Sequence, residues 1–144
     1  MNQDDDEYTV KIVKEWYEES LLTLFRAGGW WREEWDPAHI ADLVQASFAF
    51  AVAIHVADSV TAGMGRLISD GTSDAYIQDL VILPEYRGRG IGAGIVRALV
   101  DHCMSNNITW IALVAEPGTE DFYGTLGFSR MSGYVPMLFT GGSS

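Results

Sequence analysis

Residues 84 to 103 read PEYRGRGIGAGIVRALVDHC, and this stretch constrains the fold most tightly. An apolar run from Ala75 to Leu83 precedes it and stops at Pro84. Glycines then alternate at Gly88, Gly90, Gly92 and Gly94, and Ile91, Ile95 and Leu99 continue at helical spacing. A strand, a glycine turn and a helix therefore follow one another without a gap. Glycine lets backbone N–H groups come close to a ligand, and the first turn of a helix leaves its N–H groups unpaired. Such a turn suits an anion, phosphate above all. The next apolar run, Thr109 to Ala115, comes after the helix, so the crossover rule sets it parallel to the Ala75–Leu83 strand.

The rest of the chain is of another kind. Tyr8 to Ile12 reads as a first strand. Val13, Trp16, Tyr17, Leu21, Leu24 and Phe25 form one helical stripe that Gly28-Gly29 stops. Asp36-Pro37 opens a second helix, with Ile40, Leu43 and Val44 on its buried side. Phe48 to Val56 and Val60 to Ile68 make a hairpin around Ala57-Asp58-Ser59. A short helix is expected around Glu120 to Leu126. A closing hairpin is expected from Phe128–Met131 and Val135–Phe139, and its edges could pair across a homodimer. The order is β-α-α-β-β-β-α-β-α-β-β. That is an α+β fold: a mixed, mostly antiparallel sheet with one parallel pair at its centre, flanked by helices. At 144 residues the chain is expected to form a single domain, with residues 1–6 and 141–144 frayed.

Charge and cysteine content narrow the function. The net charge of −11 excludes general nucleic-acid binding, which needs a basic surface. Yet Arg87, Arg89 and Arg97, three of nine basic residues, lie in the glycine segment, so positive charge is local to the proposed anion. The acidic remainder would steer a cationic co-substrate. The one cysteine, Cys103, excludes a disulfide framework and a multi-thiolate metal cluster, and no metal is expected. No apolar run is long enough for a membrane span, and Asp4-Asp5-Asp6-Glu7 stands where a secretory signal needs positive charge. The expected compartment is the cytoplasm.

Two phosphate motifs compete at the turn. Gly88-x-Gly90-x-x-Ala93 satisfies a loose dinucleotide fingerprint. However, that fingerprint begins a run of parallel βα units, whereas this chain has an antiparallel meander upstream and little chain left downstream. The Walker loop fails for want of Gly-Lys-Ser/Thr. Arg87-Gly88-Arg89-Gly90-Ile91-Gly92 fits better. It resembles the Arg/Gln-x-x-Gly-x-Gly/Ala motif of the GNAT acetyltransferases, and Asp79-Leu80-Val81-Ile82-Leu83-Pro84 before it resembles that family's strand. Asp121-Phe122-Tyr123-Gly124-Thr125-Leu126-Gly127-Phe128 is similar to the family's later Phe-Tyr-x-x-x-Gly-Phe signature. The two motifs stand in the right order with a strand between them. Gly63-Met64-Gly65-Arg66 more weakly resembles the bacterial and plant subgroup that includes serotonin N-acetyltransferase-like proteins.

The resemblance implies an acetyl-CoA-dependent N-acetyltransferase acting on a primary amine, small-molecule or protein-borne. It implies that the two parallel strands splay and that the pantetheine arm pairs with backbone near Leu80, Val81 and Ile82. It implies that the turn (Arg87, Gly88, Arg89, Gly90, Ile91, Gly92, Ala93) and Phe122 hold the cofactor. Tyr123 is the implied acid for the leaving thiolate. Its ordinary pKa of about 10 stands above the thiol's value of roughly 8.5. Asp79 matches an acidic position in some relatives and is the candidate base. Strand alternation would point it away from Gln78 and Leu80 unless a bulge intervenes. Trp30 and Trp31 border the implied acceptor pocket, where aromatic faces suit a cationic amine, and Glu116 could contact substrate or cofactor. A non-catalytic acyl-CoA-binding regulatory domain is the alternative from another class.

Overall fold

The computed structural model describes residues 6–142, so most of the expected frayed ends, 1–5 and 143–144, lie outside the described residues. The chain forms two compact units, one ending at Leu113 and the other beginning at Val114. The first carries a five-stranded sheet in the order β1-β2-β3-β4-β5, with β1 Tyr8–Val13, β2 Ala49–His55, β3 Val60–Ser69, β4 Asp74–Ile82 and β5 Trp110–Ala112. β1 through β4 are antiparallel, and β4 and β5 are parallel, as the crossover rule requires; the pair stands at the edge of this sheet and not at the expected centre, because no described strand continues beyond β5.

Three helices cover this sheet. α1 (Glu18–Ala27) lies against β3 and β4, α2 (His39–Ala46) against β2, and α3 (Ile91–Ser105) against β2, β3 and β4. Along β2, residues of both parities are buried, so helices cover both faces of the sheet's centre. α1 buries Leu21, Leu24 and Phe25, and α3 buries Ile91, Ile95, Val96, Leu99 and Cys103. Each fully buried leucine or isoleucine contributes roughly 2 kcal/mol by leaving water.

The boundaries differ from the sequence reading where pairing outbids local spacing. Val13 stays in β1 because it pairs with Phe50, so α1 starts only at Glu18 and excludes Trp16 and Tyr17. Trp16 instead donates its indole N–H to the Thr61 hydroxyl at 3.0 Å. α2 starts at His39, after an Asx-type turn in which the Ala38 N–H donates to the Asp36 carboxylate. β5 keeps only three residues of the seven-residue apolar run.

The second unit contains α4 (Glu120–Gly124) and no strand among its described residues. The closing hairpin expected from Phe128–Met131 and Val135–Phe139 is not formed. Pro136 removes a ladder donor from the second position of the second run. Arg130, in the first run, is held instead by a two-point ion pair with Glu120, at 2.7 and 2.9 Å. β-propensity without a pairing partner does not make a strand.

One contact locks β1 to the start of α3. Gly94 faces the Tyr8 ring so closely that an added Cβ would fall 2.5 Å from Oη and 2.8 Å from Cε2. The Tyr8 hydroxyl donates to the Gly90 carbonyl at 3.0 Å. Alanine is normally better than glycine inside a helix by about 1 kcal/mol. Here Gly94→Ala will instead destabilise by about 1–3 kcal/mol, because the ring must move. In a Tyr8→Ala background the same substitution will stabilise. Urea unfolding of the four proteins in this cycle checks both signs.

Candidate active site

The glycine turn is open and uncapped. After the 3-10 turn Pro84–Tyr86, Gly88 and Gly90 take φ of 78° and 81°, values that an L side chain adopts only with strain. Gly90 is the N-cap of α3, and no side chain caps this end. The next N–H with an intrahelical acceptor is that of Gly94, which donates to the Gly90 carbonyl. A Cβ at Gly88 or Gly90 would meet nothing within 4 Å, so the space over the turn is clear. A helix start with no acidic residue in its first turn presents partial positive charge to that space. Arg87, Gly88, Arg89, Gly90, Ile91, Gly92 and Ala93, the residues expected to meet an anion, thus lie on one continuous turn and helix start. The Ile91 side chain is buried and anchors it. Arg87 donates from Nε to the Ile82 carbonyl at 3.1 Å, and Arg89 donates from Nη2 to the Glu85 carbonyl at 3.2 Å. These bonds hold each guanidinium against the backbone beside the turn.

The edge of β4 beyond Tyr76 is set apart from β5. The parallel ladder runs only through Asp74–Trp110, Ala75–Ile111 and Tyr76–Ala112. Residues 77–82 of β4 continue alongside β3 but have no β5 partner. Leu80, Val81 and Ile82, expected to meet an extended ligand arm, lie on this stretch.

A bulge occurs at the same place. Met64 pairs with Val81 and Arg66 with Gln78, so Gly65 alone stands opposite Asp79 and Leu80. Asp79 adopts φ 57°, in the left-handed region. Its Oδ2 accepts a hydrogen bond from Arg66 Nε at 2.6 Å, and both side chains are mostly buried, with exposures of 19% and 18%. The bulge places the Asp79 carboxylate with Arg66, the pairing partner of Gln78. Plain alternation would have put it on the other face.

In the second unit, Tyr123 sits in α4 with Phe122 and Phe128 packed edge-on at ring distances of 5.0 and 6.0 Å. The Tyr123 carbonyl accepts from the N–H groups of Leu126 and Phe128, which closes the turn through Gly127. Burial above all, and then the Glu116 carboxylate, raises the Tyr123 pKa above its ordinary 10.0. Glu116 is exposed, so the structure brings it near Tyr123 rather than into a buried pocket.

The tryptophans are engaged with their own chain. Trp30 packs edge-on to Phe25 at the end of α1. Trp31 and Trp35 form a T-shaped pair, and Arg32 lies 5.5 Å over the Trp35 ring. Glu33 is paired with Arg26. Cys103 is fully buried, and burial raises its thiol pKa, as befits an inert core thiol. Among the described residues, no group of three or more His, Cys, Asp or Glu side chains could hold a metal ion, and no helix is long and apolar enough to cross a membrane.

The profile of the acetyltransferase (GNAT) family matches residues 10–128. The chain belongs to the GNAT family. An Arabidopsis thaliana relative, GCN5-related N-acetyltransferase 3, chloroplastic, is 33% identical over 125 residues, 85% of this chain and 51% of its own length. The chloroplastic serotonin N-acetyltransferase 2 of Oryza sativa is 33% identical over 78 residues, 50% of this chain and 39% of its own. A solved GNAT-family acetyltransferase of Streptococcus pneumoniae is 26% identical, covers 95% of this chain and 100% of its own, and superposes with a TM-score of 0.78. The fold is therefore the GNAT fold anticipated from the two motifs. The chain spans about half, or less, of the length of the curated relatives it matches.

A cluster that no sequence spacing reveals lies beside the turn of this GNAT chain. Asp58, in the β2–β3 hairpin, accepts a short hydrogen bond from the Tyr86 hydroxyl and lies 3.0 Å from His55 Nδ1. Tyr86 immediately precedes Arg87, but nothing in local spacing links it to a residue 28 positions away. The Tyr86 hydroxyl first, helped by the Val60 amide and His55 and opposed by burial, lowers the Asp58 pKa from 3.8 to about 2. The stability this adds is complete above the unfolded value of 3.8 and is lost as pH falls through the folded value near 2. Asp58 is 43% exposed, which keeps the effect modest. The stability gap between wild type and Asp58→Asn, followed by urea unfolding, will narrow on acidification across that window and stay constant above it.

Proposed function

We propose that this chain is an acetyl-CoA-dependent N-acetyltransferase that moves the acetyl group directly to a primary amine. The observation that carries the reading is the uncapped start of α3 on a glycine turn with two arginines. A diphosphate needs several N–H donors and a positive dipole end, and the turn offers both. The open stretch of β4 beyond Tyr76 offers backbone groups to an extended amide-bearing arm, through Leu80, Val81 and Ile82. Acetyl-CoA supplies the thioester: acyl transfer releases its thiol.

The chain's own groups hold the remaining roles. A backbone N–H of the β4 stretch polarises the acyl carbonyl and holds developing negative charge. Tyr123, kept protonated by burial and by Glu116, donates its hydroxyl proton toward the leaving thiolate. Asp79 is the sequence candidate for the base, but its Oδ2 already accepts from Arg66 Nε at 2.6 Å, so that oxygen is engaged within the sheet and not offered to an amine. Asp79 therefore holds the bulge, and the acceptor reacts from its neutral fraction. The net charge of −11 draws cationic amines toward the protein. The tryptophan-rich connection between α1 and α2 bounds the acceptor side, with Trp30 as packing and Trp31 as its exposed neighbour's partner.

Isothermal titration with acetyl-CoA, followed by thiol release with a panel of amines, tests the reading. Tyr123→Phe will keep acetyl-CoA affinity and lower kcat by about 100-fold or more. Binding with no turnover on any amine would favour a regulatory acyl-CoA-binding domain. No binding would end the coenzyme A reading.

The pH profile tests the base. For an amine of pKa about 10.4, log kcat/KM will climb by about one per pH unit between roughly pH 6.5 and 8.5, and Asp79→Asn will keep that slope. A wild-type plateau that Asp79→Asn abolishes would return the base role to Asp79.

A further inference from the structure

We infer that His55, Asp58 and Tyr86 are positioning residues for the coenzyme-binding turn and act on it through Arg89. The inference rests on the reading of that turn as the acetyl-CoA site. The turn has little order of its own. Gly88 and Gly90 bear no side chains, take positive φ and face open space. Glycine loses more backbone freedom on ordering than any other residue. The core and Tyr8 hold the start of α3 from Gly90 onward, so order in residues 87–89, which lead into it, must come from the flanks.

Arg89 is the flank that reaches furthest. Its Nη1 lies 3.5 Å from His55 Nε2, a residue 34 positions away at the end of β2. Its Nη2 donates to the Glu85 carbonyl, its guanidinium lies 5.4 Å over the Tyr86 ring, and its Nε is 3.8 Å from the Asp6 carboxylate. Behind it stands a relay: His55 Nδ1 is 3.0 Å from one Asp58 oxygen, and the Tyr86 hydroxyl donates to the other. One tautomer serves both histidine contacts. With its proton on Nδ1, His55 donates to Asp58 and accepts from Arg89 at Nε2. The His55 and Tyr86 rings also pack at 5.0 Å. Tyr86 is buried, and the His55 side chain is only 6% exposed. The relay thus ties the β2–β3 hairpin to the 3-10 turn and to the glycine turn at once.

This arrangement suits positioning and not proton transfer to substrate. Both His55 ring nitrogens face protein groups, and the imidazole is buried. Pre-ordering the turn lowers the entropy lost when an anion is bound, so the effect falls on co-substrate affinity. The chemical step draws on other residues.

The test compares wild type, Tyr86→Phe and Asp58→Asn by acetyl-CoA titration, steady-state kinetics and amide exchange of residues 87–93 without ligand. Tyr86→Phe removes one hydroxyl and keeps the packed ring. It will weaken acetyl-CoA binding about fivefold to tenfold and speed exchange in the turn. The kcat at saturating acetyl-CoA and the KM for the amine will stay as in wild type. Asp58→Asn, which still offers Tyr86 an acceptor, will show a smaller loss of the same kind, and it carries the test if Tyr86→Phe fails to fold. Unchanged affinity and exchange in a variant that melts like wild type would overturn the positioning role. So would a fall in kcat equal to the loss of affinity. If wild type itself binds no acetyl-CoA, the functional reading falls and this inference falls with it. If wild type binds and both variants match it, only this inference falls.

Discussion

The ion pair between Arg66 and Asp79 holds the sheet in the shape that the rest of the site requires. Asp79 occupies the left-handed region, which costs an L-residue roughly 1–2 kcal/mol. Aspartate is among the few side chains that tolerate it, and a mostly buried guanidinium at 2.6 Å offsets the cost. The gain is geometric. Two residues of β4 face one residue of β3, so the side-chain parity of β4 reverses across the bulge. Ile82 and Leu80 then lie beside Gly63 and Gly65, against the Ile95 side of α3. A sheet without the bulge would send those side chains to the opposite face.

The packing of α3 is set by the same strands. Each of Gly63 and Gly65 leaves room for Ile95, whose methyl groups approach to 3.0 Å of where a Cβ would stand. Tyr8 fills the hollow at Gly94 and bonds to the Gly90 carbonyl. The N-terminal end of α3 is therefore held from β3 below and β1 beside it. Backbone N–H groups at a helix start are only as well placed as the helix that carries them, and here the core places the helix.

Much of this was legible in the sequence, and the reason lies in range. The meander from Ala49 to Ile82 is local: each strand pairs with the next in sequence, so apolar runs and turn residues suffice to place it. The β4–α3–β5 crossover followed from handedness alone. The glycine turn was readable because one backbone feature does the work. Asp79 was only half readable. Its residue type and position suggested a base, but the bulge and the Arg66 contact depend on strand register, which a single strand's pattern does not encode. The His55–Asp58–Tyr86–Arg89 cluster was unreadable for the same reason: its members come from three segments that periodicity cannot join. The closing hairpin fails because β-propensity alone does not supply a pairing partner, and Pro136 stands in the second run. The tryptophans were recognisable as a cluster, but not as one with Arg32 already on the Trp35 face.

Proton accounting limits what Tyr123 can do. By ordinary values, moving a proton from a phenol near 10 to a thiolate near 8.5 runs uphill by about 1.5 units. Burial and Glu116 raise the phenol further, so complete transfer ahead of bond cleavage is disfavoured. A raised pKa does secure a different service. The hydroxyl stays protonated across the neutral range, and in the proposed reaction it would donate a hydrogen bond to the sulfur as charge builds there. The balancing proton is the one that the attacking nitrogen sheds on becoming an amide. Under the proposed reaction Glu116 would help by keeping Tyr123 neutral, and the amine's own proton would balance the thiolate with no dedicated carboxylate base. That is consistent with the one acidic side chain on the β4 bulge being committed to Arg66.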